Sequence, residues 1–192
     1  VKLIVKAHPK LWFFIEDYMI ELVAEAICSS EDAVKLIGYE AIESFTFTEN
    51  LLVGPIGEKL ASVIGSVNVG QKAVLFGATK ALLSLICNHR GDFKPAKPFL
   101  VAIVQVTVNV CDGSLTEVIF KRLLESKQLH KYLAFGPILT LLASQCGAND
   151  PSHLLSLRLL RQLAVINPAD ILILFRRRLF ECLSELGFGD GQ

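Results

Sequence analysis

The chain has 192 residues, enough for one domain or a short run of stacked repeats. Hydrophobic residues make up 52% of it, mean hydropathy is +0.49, and formal net charge is zero. A neutral total argues against a nucleic-acid binder, which wants net positive charge and exposed aromatics, and the apolar content leaves a membrane protein or helices buried on more than one side.

Crossing a bilayer takes about 20 consecutive apolar residues. Phe99 to Val110 is broken by Gln105, Thr107 and Asn109 and flanked by Lys97 and Asp112, while Lys80 divides the run from Leu75 to Ile86. Leu133 to Ala143 is too short. No membrane span is expected. Val1 to Val5 leads straight into charged residues, unlike a signal peptide.

Apolar residues recur at spacings of three and four, which predicts about nine helices. In chain order they cover 9–28, 30–45, 50–65, 70–88, 96–111, 114–126, 131–145, 151–166 and 169–186. Pro9 opens the first. Its Trp12, Phe13, Phe14 and Tyr18 spread around much of the helix, which predicts burial on several sides, or else a patch for a partner. Ser29 with Asp32, and Ser114 with Glu117, read as capping boxes for the second and sixth helices. Val101 to Val110 has strand-like composition but is read as helix from its neighbours. Asp150-Pro151 and Asn167-Pro168 place a capping side chain before a proline in the first turn. Gly65, Gly91, Gly113, Gly147 and Gly187 read as stops. Short connections make consecutive helices antiparallel.

A shift of 40 positions lays the second helix on the fourth. Ala33 meets Ala73, Val34 meets Val74, Ala41 meets Ala81, Ile42 meets Leu82 and Ser44 meets Ser84. Small residues recur together with large ones, as expected where helices approach closely at Ala41 and Ala81. The step of about 40 residues is the period of HEAT and armadillo repeats.

The last hairpin runs from Leu154 to Leu186. Its Leu-x-x-Leu-Ala-x-x-Asn-Pro-Ala connection, Leu160 to Ala169, precedes a helix with Arg177 and Leu183-Ser184-Glu185-Leu186. With the 40-residue period, the chain resembles HEAT-repeat proteins over most of its length, and this hairpin is similar to one in the solenoid of TOR-type giant kinases. The Asp–Arg pair of the HEAT consensus is missing from most hairpins. The resemblance implies an all-α fold, a right-handed superhelical stack of antiparallel hairpins, with residues 1–192 forming one α-solenoid segment of a longer repeat protein. It implies a non-catalytic scaffold or adaptor that binds other proteins within a larger assembly. The alternatives are a regulatory solenoid segment of a giant TOR-like kinase and a membrane-associated helical bundle.

Catalytic signatures are not found. No phosphate loop or nucleophile elbow is present. His8, His89, His130 and His153 stand apart, and Cys87 with His89 has no second ligand pair nearby. No enzyme activity, cofactor, metal or small-molecule substrate is expected. Cys28, Cys87, Cys111, Cys146 and Cys182 form no CxxC pair and are odd in number, which predicts buried free thiols of an intracellular protein, cytoplasmic or nuclear.

Charge is uneven. Residues 1–68 hold 5 Lys/Arg and 10 Asp/Glu, whereas residues 69–192 hold 14 and 9. In the first helix Glu16, Glu21 and Glu25 fall near one face, with Asp17 offset; they form a solvated helix side or an acidic strip for a basic partner. Arg176, Arg177 and Arg178, with Arg158 and Arg161 on the preceding helix, form the densest basic group, suited to an acidic protein surface or a structural salt network. Phe175 and Phe180 are expected in the core.

Overall fold

The computed structural model describes residues 9–45, 47, 51, 54–66, 71–88, 96–110, 112–134, 136–144 and 151–185, with side chains at 9, 13, 144, 151–153 and 178–185 outside the description. Among the described residues the chain is helical and no strand occurs. A 3-10 turn at Pro9–Leu11 leads into α1 (Trp12–Cys28), followed by α2 (Asp32–Ser44), α3 (Pro55–Ser66), α4 (Lys72–Asn88) and α5 (Lys97–Val110). Then come α6 (Gly113–Glu125), a 3-10 turn at Lys127–Leu129, α7 (His130–Leu133), α8 (Gly136–Ser144), α9 (Pro151–Ile166) and α10 (Pro168–Glu185). The chain forms two compact units, Val1–Val106 and Thr107–Gln192.

In the first unit α1 and α2 make an antiparallel hairpin. Trp12 at the start of α1 stacks on Phe45 just past α2, with ring centroids 5.2 Å apart and planes 12° from parallel. At the other end the backbone of Gly38 in α2 lies against Ala26 and Ile27 of α1. α3 packs on α4, α1 on α3 and α2 on α4. Each of α1 to α4 thus touches one chain neighbour and one helix two places away. The core is aliphatic: Ile27, Ile42, Leu60, Leu75, Leu82, Leu83 and Ile86 are each at most 2% exposed.

The 40-residue register holds at the helix starts, because α2 begins at Asp32 and α4 at Lys72. Ala81 is fully buried, but Ala41 is only half-buried. Two glycines sit at close approaches. A Cβ on Gly38 would stand 2.9 Å from the Ala26 Cβ, and one on Gly77 would stand 2.7 Å from Cδ2 of the buried Tyr39 ring. Glycine lets the helices meet at these points.

The second unit is arranged around α9, which packs on α6, α7, α8 and α10. Leu159 and Leu163 of α9 are fully buried, as are Ile119, Phe120 and Leu123 of α6. The predicted helix at 131–145 is two helices. Pro137 has no N–H to donate, so the ladder breaks and restarts at Gly136. The buried His130 bonds through Nε2 to the Leu123 carbonyl at 3.0 Å, tying α7 to α6.

Caps depart from the sequence reading in an informative way. Ser29 Oγ accepts from the Glu31 N–H at 3.1 Å, and Glu31 occupies the N-cap of α2, so the Ser29–Asp32 box does not form. Asp32 instead pairs with Lys35 one turn on, at 2.9 Å. For α6 the cap is Asp112, which accepts from the Ser114 and Leu115 N–H groups at 3.0 and 3.3 Å and takes the Ser114 hydroxyl at 2.6 Å. A carboxylate two residues upstream wins because its full negative charge favours the positive end of the helix dipole. Asn167 caps α10 as expected: its Oδ1 accepts from the Asp170 N–H at 3.3 Å. Its Nδ2 also donates to the Ala134 carbonyl at 3.0 Å and to Asp170 Oδ2 at 2.7 Å, anchoring the α9–α10 corner to the end of α7. Gly65 lies inside α3 and Gly113 opens α6, so neither is a stop. Gly91, Gly147, Asp150 and Gly187 lie outside the described residues.

Candidate interaction surface

On α1 the buried side carries Trp12, Glu16, Val23 and Ile27. A helix advances 100° per residue, so the opposite arc holds Phe14, Tyr18, Glu21, Leu22 and Glu25. Phe14 is 83% exposed and Tyr18 62% exposed, against the expectation that the aromatic cluster is buried on several sides. Trp12 alone among the described aromatics of α1 is in the core, held by Phe45 and by Phe47 at 5.5 Å. Phe13 lies outside the described side chains.

Glu16 is only 5% exposed, which removes it from the predicted acidic strip. It falls one turn from Trp12, on the packed side. Glu21 and Glu25 are exposed, and Asp17 is exposed in line with them. Positions 17, 21 and 25 are successive i,i+4 neighbours, so these three carboxylates form the row. Leu11, 42% exposed, extends the apolar part of the same arc.

On α10 Ile171 points inward and Leu174 is half-buried, while Leu172, Ile173, Phe175, Arg176 and Arg177 are exposed. Phe175 at 58% exposure is therefore a surface residue, contrary to the expectation of a core position. Leu172 stands one turn before Arg176, and Ile173 one turn before Arg177, so each arginine borders an exposed aliphatic side chain. Arg158 and Arg161 are exposed on α9, one turn apart, beside the exposed Leu154 and Leu157. The Arg178 and Phe180 side chains lie outside the described set. Helix phase was the signal for Phe175: with 171 and 174 inward, 175 begins the outward arc.

A cleft of about 270 Å3 opens in the first unit where the ends of α1 and α3 meet the start of α4, lined in part by Cys28, Lys35, Lys59, Ser66 and Gln71. Asp32 at its edge receives Lys35 Nζ at 2.9 Å and Gln71 Nε2 at 3.2 Å. The Lys35 hydrogen bond holds the Asp32 carboxyl below its usual value. Lys35 is thereby already neutralised, so the cleft is not a concentrated cationic site. Cys28 is a free, exposed thiol rather than a buried one, and Cys87 is half-buried. Cys111 and Cys146 lie outside the described residues and the Cys182 side chain outside the described side chains.

No family model, curated protein or solved structure matches the chain.

Among the described residues no three His, Cys, Asp or Glu side chains gather as a metal site. Among them, too, no helix is long and apolar enough to cross a membrane.

Proposed function

We propose that this chain is a non-catalytic scaffold that binds other proteins within a larger intracellular assembly, through helix faces of a HEAT- or armadillo-like stack. The observation that carries the reading is the exposure of large apolar side chains on whole helix arcs: Phe14 and Tyr18 on α1, Leu172, Ile173 and Phe175 on α10. Single exposed hydrophobes are ordinary, but contiguous ones rimmed by charge mark protein contact surfaces. Stacked hairpins in the first unit, where α1 meets α3 and α2 meets α4, support the repeat architecture. The free, exposed thiol of Cys28 supports a reducing compartment.

The test is site-specific photocrosslinking in cells. A photoreactive residue at Phe14 or Leu172 should yield discrete covalent protein adducts, whereas one at the exposed Glu40 of α2 should not. Adducts from neither apolar face would reject the scaffold reading.

A further inference from the structure

The exposed arc of α1 consists of two adjoining rows. Phe14, Tyr18 and Leu22 follow one another at i,i+4, and so do Asp17, Glu21 and Glu25, all exposed. At 100° per residue the two rows together span about 140° of the helix, which is one face of it. α1 contains no Lys, Arg or His. Among the described residues the three carboxylates enter no hydrogen bond or ion pair. Lys10, the nearest cation along the chain, lies about two turns before Asp17. The acidic row is unfavourable to the helix that carries it. Like charges at i,i+4 repel, and Glu25 stands in the last turn, where the helix dipole favours a cation. The row beside it exposes apolar surface to water in one contiguous stripe.

We infer that this face of α1 docks a basic amphipathic helix of another protein, one that carries Arg or Lys at i,i+4 beside an apolar stripe. The inference rests on the scaffold reading and states what kind of segment the face takes. Charge complementarity selects the occupant, because a cationic row relieves the repulsion that α1 itself leaves unanswered. A ridge of side chains at i,i+4 settles in the groove between the ridges of a second helix. Cations flanking the apolar stripe of that helix then lie over Asp17, Glu21 and Glu25, as flanking charges do beside a coiled-coil seam. Arginine suits the role better than lysine, since its fork pairs with a carboxylate and its plane stacks on the Tyr18 ring. The same carboxylates disfavour other occupants. A second copy presenting this face would set carboxylates against carboxylates, and an anionic lipid surface or a phosphate backbone would be repelled. One helix-on-helix contact buries little area, so the association is weak and reversible.

The probe is a synthetic, fluorescently labelled peptide of the length of α1, 17 residues, with Leu in one i,i+4 row and Arg in the next on an Ala and Gln background. Fluorescence anisotropy against the 192-residue chain should show saturable binding that weakens as salt is added, because screening acts on exposed charge pairs. A peptide with Glu in place of every Arg, and a scrambled peptide of the same composition, should each bind at least about tenfold more weakly. Glu21→Lys turns both repulsive i,i+4 pairs into attractive ones, so the variant should unfold at a temperature no lower than the parent. It should nevertheless hold the Arg peptide at least about tenfold less tightly, a loss that a merely structural role for Glu21 would not produce. Phe14→Ala should also weaken binding, and circular dichroism checks that both variants are folded. Equal binding of the Arg and Glu peptides overturns the proposal. So does a Glu21→Lys chain that binds as well as the parent, or sedimentation of the chain with phosphatidylserine vesicles that Phe14→Ala abolishes. A chain that ignores the Arg peptide but still gives cellular adducts at Phe14 would reject the basic helix while leaving the scaffold reading standing.

Discussion

The two units reach a core by different routes. In the first, work is shared: α1 and α2, then α3 and α4, pair along the chain, and the pairs meet helix for helix. In the second, α9 touches four other helices and the core converges on it. A repeated arrangement spreads the cost of any one defect over several interfaces, whereas a central helix concentrates it. Nearest-neighbour stacks have stability that is close to a sum over repeats; a hub does not divide in this way.

The largest effect should come from breaking the hub. Leu163 of α9 is fully buried, and Leu163→Ala should cost about 2–5 kcal/mol through lost contact and a residual cavity. Hydrogen exchange should then rise together in α6, α8 and α10. Protection lost from α9 alone would show that the convergence on α9 is not energetic.

Next come the close approaches at Gly38 and Gly77 in the first unit. Gly38→Ala and Gly77→Ala should each destabilise by about 1–3 kcal/mol, because the new methyl meets Ala26 or the Tyr39 ring with nowhere to move. Helix propensity pulls the other way by about 1 kcal/mol. Denaturant midpoints decide between them, and a stabilised Gly77→Ala chain would mean that α2 and α4 are further apart than described.

A smaller loss, about 1 kcal/mol, is expected for Asn167→Ala, which removes the α10 cap and the bond to the Ala134 carbonyl. Thermal unfolding measures it. If the loss is nil, the corner is held by packing alone.

The smallest effect concerns Tyr39. Its ring is buried and its hydroxyl has no hydrogen-bond partner among the described residues. Burial, with the Asp32 and Cys28 charges adding to it, pushes its pKa from 10.0 up to about 12. The neutral form is the one the fold favours. The stability this provides is complete below pH 10, the unfolded value, and is lost as pH rises towards about 12. Tyr39→Phe should leave stability at neutral pH unchanged or raise it by up to about 1 kcal/mol, since an unpaired buried hydroxyl is removed. It should also flatten the alkaline fall. An equally steep fall in the variant would assign the pH dependence to other groups.

Much of this was legible beforehand. Helix periodicity, Pro151 and Pro168 in first turns, and the 40-residue shift locate most elements closely, because these signals are local, although the third helix starts at Pro55 rather than at 50. Even Val101 to Val110 is helical, its β-branched residues overridden by packing. What escaped is set by tertiary neighbours. Gly38 and Gly77 look like weak points in a helix until the facing Ala26 and Tyr39 are known. Phe175 sits one step from the boundary between inward and outward arcs, and Glu16 lies well inside the inward arc of α1 with Trp12, Val23 and Ile27, where composition alone reads a carboxylate as exposed. The acidic row was drawn through Glu16 for that reason, although Asp17 completes it.

The contact between Gly77 and Tyr39 has a consequence for how such a chain could diverge. The two positions share a single volume between α2 and α4. A side chain can appear at 77 only as the ring at 39 is given up for something smaller, so tolerated changes should come as a compensated pair. The same holds between 38 and 26, where the facing residue is already alanine and has almost nothing left to concede. Position 38 should therefore be the more invariant of the two in any natural drift of this sequence, and 77 the one whose history is written in its partner.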